Sequence, residues 1–113
     1  MSGPRETRTA YLRCQYTRTL PNGIEFDWDP ANLSHIAEHG VTPNEAIQVL
    51  ENDPVDLDYQ VVEGEGRWVA VGVTNRGRFL VVVLTIRRSK VRVVTAFDAD
   101  KRYQKVYLEQ RGK

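Results

Sequence analysis

RWVAVGVTNRGRFLVVVLTIRRSKVRVVTAF, residues 67–97, decides what this chain of 113 residues folds into. Runs rich in branched aliphatic residues occupy 67–74, 78–86 and 91–97, with a turn signal in each gap. Asn75-Arg76-Gly77 supplies a glycine for the positive φ of a three-residue hairpin loop. Arg87-Arg88-Ser89-Lys90 reverses the chain a second time. Hairpin connections make neighbouring strands antiparallel. The middle run, FLVVVLTI, is apolar on both of its alternating faces, so it belongs in the centre of a sheet covered on both sides.

Working outward, IEFDW (24–28) alternates apolar and polar residues and reads as a short strand. Asp29 can cap a helix with Pro30 at its first position and Gly40 as its left-handed stop. Thr42-Pro43-Asn44-Glu45 opens a second helix with a capping box, in which Glu45 reaches back to the cap residue. Ala46, Ile47, Val49 and Leu50 form its apolar face, and Asp53-Pro54 ends it. A weaker strand covers 56–62. A final helix covers 99–110, with Tyr103, Val106 and Tyr107 at helical spacing. The predicted class is α+β, a small antiparallel sheet with helices packed against it, in the order β-α-α-β-β-β-β-α. Residues 23–113 form a single domain, and residues 1–22 read as a basic, loosely held N-terminal arm.

Composition excludes several classes. With 41% hydrophobic and 27% charged residues, the chain is neither disordered nor a membrane protein. Its single cysteine, Cys14, cannot build a disulfide framework and reads as incidental. The first residues lack the apolar block of a secretory signal, so a cytoplasmic protein is expected. The net charge of +1 hides a strong segregation. Residues 24–66 hold eleven acidic residues and no Lys or Arg, while residues 67–97 hold seven basic residues and no acid. Such a pattern predicts a charge dipole with the basic surface on the hairpin side.

HIAEHG (35–40) contains H-x-x-E-H, an inverted zinc-peptidase signature. A zinc site needs both histidines on one helical face and a third protein ligand. Gly40 stops the helix directly after His39, and no other histidine exists. Helix-end histidines favoured by the helix dipole are the preferred reading, with no metal and no cofactor expected.

FDWDPANLSHIAEHGVTPNEAIQVL (26–50), continued by residues 67–107, resembles BrnT-type toxins, the ribonuclease component of a toxin–antitoxin pair. Those proteins show a Trp-Asp strand end, a helix closing in His-Gly-Val, an Arg-Trp strand, a hairpin, then Thr-x-Arg and a further strand ending in Ala. The similarity runs from Ile24 to Tyr107. It implies a RelE-like fold, metal-independent RNA cleavage in bacteria, and a cognate antitoxin that blocks the site, with oligomers formed only with that antitoxin. His39, Arg67, Arg87, Arg92 and Tyr107 fall where the family keeps similar residues. Phe97 stands where an Arg is usual, Tyr103 where a Glu is usual, and Glu38 where a Lys commonly precedes His-Gly.

RNA cleavage without a metal needs a base for the 2′-hydroxyl, cations for the charged phosphorane, and an acid for the leaving oxygen. Guanidinium forks suit the second task. The candidate catalytic set is therefore His39, Arg67, Arg87, Arg92 and Tyr103, with Arg76, Arg78, Arg88, Lys90 and Lys101 as RNA-binding candidates. The competing readings are a solvated strand rim for the arginines, helix-end packing for His39, and core packing for Tyr103 and Tyr107. Trp28 and Trp68 read as core or antitoxin-interface anchors. A catalytically impaired RNA- or protein-binding module on the same scaffold is the alternative function, suggested by Phe97 and Tyr103.

Overall fold

The computed structural model describes residues 25–111; the basic arm and Cys14 lie outside the described residues. The element order is β1 (Glu25–Phe26), α1 (Pro30–Glu38), α2 (Pro43–Glu51), β2 (Val55–Val62), β3 (Glu65–Val73), β4 (Phe79–Arg87), β5 (Lys90–Asp98) and α3 (Lys101–Arg111). This is the α+β order that periodicity and punctuation predict. Both helix starts form as their residues dictate. The Asp29 side chain accepts from the Asn32 amide at 2.9 Å. Thr42 and Glu45 exchange backbone and side-chain hydrogen bonds in a complete capping box.

The strands form one sheet in the order β1-β5-β4-β3-β2. Every hairpin-linked pair is antiparallel, but β1 runs parallel to β5, with Glu25 opposite Lys90 and Phe26 opposite Val91. The expectation of a wholly antiparallel sheet rests on hairpins, and β1 has none; α1 and α2 separate it from the rest of the sheet. The sheet is therefore mixed.

β4 is covered on both sides, as FLVVVLTI requires. Leu80 and Val82 pack with Phe26, Trp28, Ile36, Ala46, Ile47 and Val49 beneath α1 and α2. Val81, between them in sequence, packs with Val55, Val71 and Ala99 on the α3 face, together with Phe79, Phe97, Tyr103, Val106 and Tyr107. Gly72 lets α2 approach closely, because a Cβ there would come within 3.0 Å of the Val49 side chain.

Two features bear on function. First, β1 pairs with only the start of β5, and α1 then takes over that edge. Asn32 Nδ2 donates to the Val93 carbonyl, and His35 Nδ1 lies 3.3 Å from the Val94 carbonyl. Val94 is the extra residue of a β-bulge, because Thr95 faces Val83 while Val93 faces Leu84. Second, the β4–β5 turn places Arg88 at φ 55° and Ser89 at φ 65°. Left-handed backbone without glycine costs roughly 1–2 kcal/mol per residue. That turn holds Arg87 opposite Lys90.

The charge segregation along the chain becomes pairing in space. Arg78 bridges Asp98 at 2.8 Å and Glu45 at 3.1 Å. Arg92 bridges Asp27 and Asp29, Arg87 meets Glu65, and Lys90 lies 3.9 Å from Glu25. Carboxylates from the first half thus sit on cations of the second. Among the described residues no helix is long and apolar enough to cross a membrane.

Candidate functional site

Alternation along the strands brings three guanidiniums together. Arg67 lies two and four residues before Val69 and Val71, and Arg87 lies six residues after Val81, so both share the face that packs on α3. Arg92 is directly opposite Thr85, which alternates in step with Arg87. Beyond the part of the sheet that α3 covers, these side chains and the α1 edge enclose a cavity of about 140 Å³. Arg67, Arg87 and Arg92 line it together with Glu65, Thr85, Val94, Ala31, Asn32 and His35.

The arginines are held to different degrees. Arg92 is tied down: it donates to Asp27 at 3.2 Å, to Asp29 at 2.7 Å and to Asn32 Oδ1 at 2.9 Å, and its side chain is only 18% exposed. Arg87 is half exposed and donates from NH2 and Nε to Glu65 Oε2 at 2.5 and 3.2 Å. Arg67 is the least committed. Its Nε is buried without a hydrogen-bond partner among the described residues, and lies 3.7 Å from Glu65 Oε1. The hydrogen bond from Arg87 holds the Glu65 carboxyl below the usual carboxylate range, and the charges of Arg67 and Arg92 add to it. Burial alone would raise the Asp29 carboxyl, but the Asn32 amide and Arg92 outweigh it and hold it low.

The other candidates are placed elsewhere. His39 caps the C-terminus of α1, outside the helix proper, and its ring packs 5.9 Å from that of Phe97; it does not line the cavity. Tyr103 packs in the α3 cluster, with Arg102 over its ring at 5.4 Å. Tyr107 meets Phe79 edge-on at 5.9 Å. Arg88 and Lys90 flank the cavity end of β4, whereas Arg76 and Arg78 lie at the opposite end. That separation is roughly 25–30 Å for a strand of this length. Lys101 opens α3, in a shallow groove with Gln104, Lys105 and Leu108. Trp28 is buried in the core, and Trp68 packs tilted against Tyr59 at 4.8 Å between ring centroids.

Glu65, and His35 (singled out only as one half of the H-x-x-E-H pair), stand outside the expected RNA-cleavage set, yet both line the cavity. Each carried a signal. His35 sits three and four residues after Asn32 and Ala31, hence on the same helical face. Glu65 lies two residues before Arg67, hence on the same strand face once the strand begins at 65. The H-x-x-E-H residues diverge, His35 toward Val94 and His39 toward Phe97. Among the described residues no group of three or more His, Cys, Asp or Glu is placed to hold a metal.

A family model described as "Ribonuclease toxin, BrnT, of type II toxin-antitoxin system" matches residues 28–102. That span contains every residue lining the cavity and ends just before Tyr103. No curated protein matches the chain.

Proposed function

Because the chain belongs to the BrnT family of ribonuclease toxins, we propose that it cleaves cellular RNA in the bacterial cytoplasm without a metal ion. The observation that supports this most strongly is the convergence of Arg67, Arg87 and Arg92, from three different strands, on one cavity. Strand-borne guanidiniums are held more rigidly than loop-borne ones, and fixed positive charge is what a developing phosphorane needs. Arg67 and Arg87 face the scissile phosphate. Arg92 fixes the start of α1 and adds its charge from behind. Arg88 and Lys90 grip the backbone beside the cavity, while Arg76, Arg78 and Lys101 lie away from it and contribute only to the general field. The family pairs such toxins with an antitoxin, and a cognate antitoxin covering this cavity would block it.

Incubating the purified chain with bacterial RNA in the presence of a chelator tests the proposal. New 5′-hydroxyl ends at discrete positions are expected, and cleavage falls steeply as salt rises. Intact RNA at low salt, or cleavage that requires an added divalent ion, contradicts it. A second reading has its own support: Phe97 packs against His39, and Tyr103 is part of the α3 cluster. A catalytically impaired module would bind RNA or a partner protein and leave the RNA intact in the same experiment.

A further inference from the structure

We propose that Glu65 is the general base and His35 the general acid of the cavity, an assignment that rests on the ribonuclease reading above. The two side chains share with the arginines a volume of about 140 Å³. That is room for a phosphate group with its ester oxygens.

The partners of each group leave one atom available. Glu65 Oε2 accepts both hydrogen bonds from Arg87, while Oε1 has Arg67 Nε at 3.7 Å, beyond hydrogen-bonding distance. Oε1 therefore keeps lone pairs for an incoming hydroxyl. His35 Nδ1 lies 3.3 Å from the Val94 carbonyl. A carbonyl oxygen only accepts, so Nδ1 carries the hydrogen and Nε2 is the atom left to exchange a proton. The Val94 bulge, on the β5 edge that α1 takes over from β1, positions that carbonyl.

The direction of transfer follows from charge. Guanidiniums from β3, β4 and β5 face the carboxylate, and the Arg87 hydrogen bond holds it below the usual carboxylate range. At neutral pH Glu65 can only accept. The proton for the leaving oxygen then comes from His35, which as the acid must enter the step protonated. It shares the cavity with Asn32 on its own helix and with Arg67, Arg87 and Arg92 on the strands, Asp27 and Asp29 lying behind Arg92. In the step itself, Glu65 takes the proton of the 2′-hydroxyl as that oxygen bonds to phosphorus. The bond from phosphorus to the 5′-oxygen breaks, and its electron pair takes the proton from His35 Nε2. The products are a 2′,3′-cyclic phosphate and a 5′-hydroxyl, with Glu65 protonated and His35 neutral.

Single-turnover cleavage against pH, for the wild type, Glu65→Gln, Glu65→Asp and His35→Gln, tests the assignment. The wild-type profile is bell-shaped, rising below the ordinary carboxylate range and falling as imidazolium is lost. Glu65→Gln loses about 10²–10⁴-fold and the rising limb, and Glu65→Asp restores that limb. His35→Gln loses the falling limb and a similar factor. An RNA with sulfur as the bridging 5′ atom expels a thiolate that needs no proton, so His35→Gln regains rate on it. Cleavage by Glu65→Gln at or above the wild-type rate would show that Glu65 merely neutralises arginines. An equal defect of His35→Gln on both substrates would remove His35 as the acid. A wild-type chain that cleaves nothing overturns the ribonuclease reading and this assignment together, whereas wild-type cleavage unaffected by either substitution overturns only the assignment.

Discussion

Arg67→Ala will lower RNA cleavage by about 10²–10³-fold, the usual effect of removing one fixed donor from a developing anion. It will change stability by no more than about 1 kcal/mol, as befits a partly exposed ion pair. The split follows from the environment of the side chain. Among the described residues its ion-pair partner is Glu65, at 3.7 Å, and its Nε has no hydrogen-bond partner. Little in the folded protein depends on it, so its charge is available to a ligand. The same substitution at a rim arginine that served only to discourage strand pairing would leave cleavage unchanged. Steady-state rates together with urea unfolding separate the two. A variant that unfolds at much lower urea, or one that cleaves normally, contradicts this account of Arg67.

Arg92→Ala is expected to do the reverse, destabilising the domain by about 2–3 kcal/mol. That figure lies below the roughly 3–5 kcal/mol of a broken, fully buried pair because Asp27 and Asp29 keep some solvent. Removing the guanidinium strands both carboxylates and Asn32 Oδ1 at once. Asp29 is also the N-cap of α1, so the carboxylate that holds the first turn of the helix carrying His35 loses its guanidinium partner. For a domain of this size each kcal/mol moves the melting midpoint by about 4–8 °C, which gives a drop of roughly 10–20 °C. Differential scanning calorimetry reads it directly. A midpoint within a few degrees of the wild type would mean that the Arg92 network is incidental. Any loss of cleavage in this variant therefore combines a loosened α1 with the loss of the Arg92 charge behind the phosphate.

Local chemistry makes much of this fold legible in the sequence. Asp29 with Pro30, and Thr42 with Glu45, each specify a helix start through bonds made within a few residues. FLVVVLTI specifies a central strand through its composition alone. What is not legible depends on contacts between distant segments. The parallel seat of β1 beside β5 leaves no mark in either strand. The opposed charge blocks read apart because their pairing, as in Arg78 with Glu45 and Arg92 with Asp27 and Asp29, appears only when the sheet forms. The site shows the same limit. Strand alternation makes the convergence of Arg67, Arg87 and Arg92 predictable, but the choice between His35 and His39 turns on where α1 ends relative to the β5 edge. His39 lies past the last helical residue, beside Phe97, and His35 lies one turn earlier, over the bulge at Val94.

The central claim, one phosphate-gripping cavity at the Arg87 end of the sheet, is tested most directly by the salt dependence of RNA affinity. A 2′-O-methyl oligonucleotide lacks the nucleophile and binds without being cut. Its affinity across a salt series is measured for the wild type, Arg67→Ala, Arg87→Ala and Arg76→Ala. On a single strand, each phosphate that a protein cation ceases to neutralise flattens the log–log slope by about 0.7. The slope is predicted to flatten by that amount in Arg67→Ala and in Arg87→Ala, and to keep its wild-type value in Arg76→Ala, whose residue sits at the other end of the strands. Equal flattening in all three variants, or wild-type slopes in Arg67→Ala and Arg87→Ala, would contradict it.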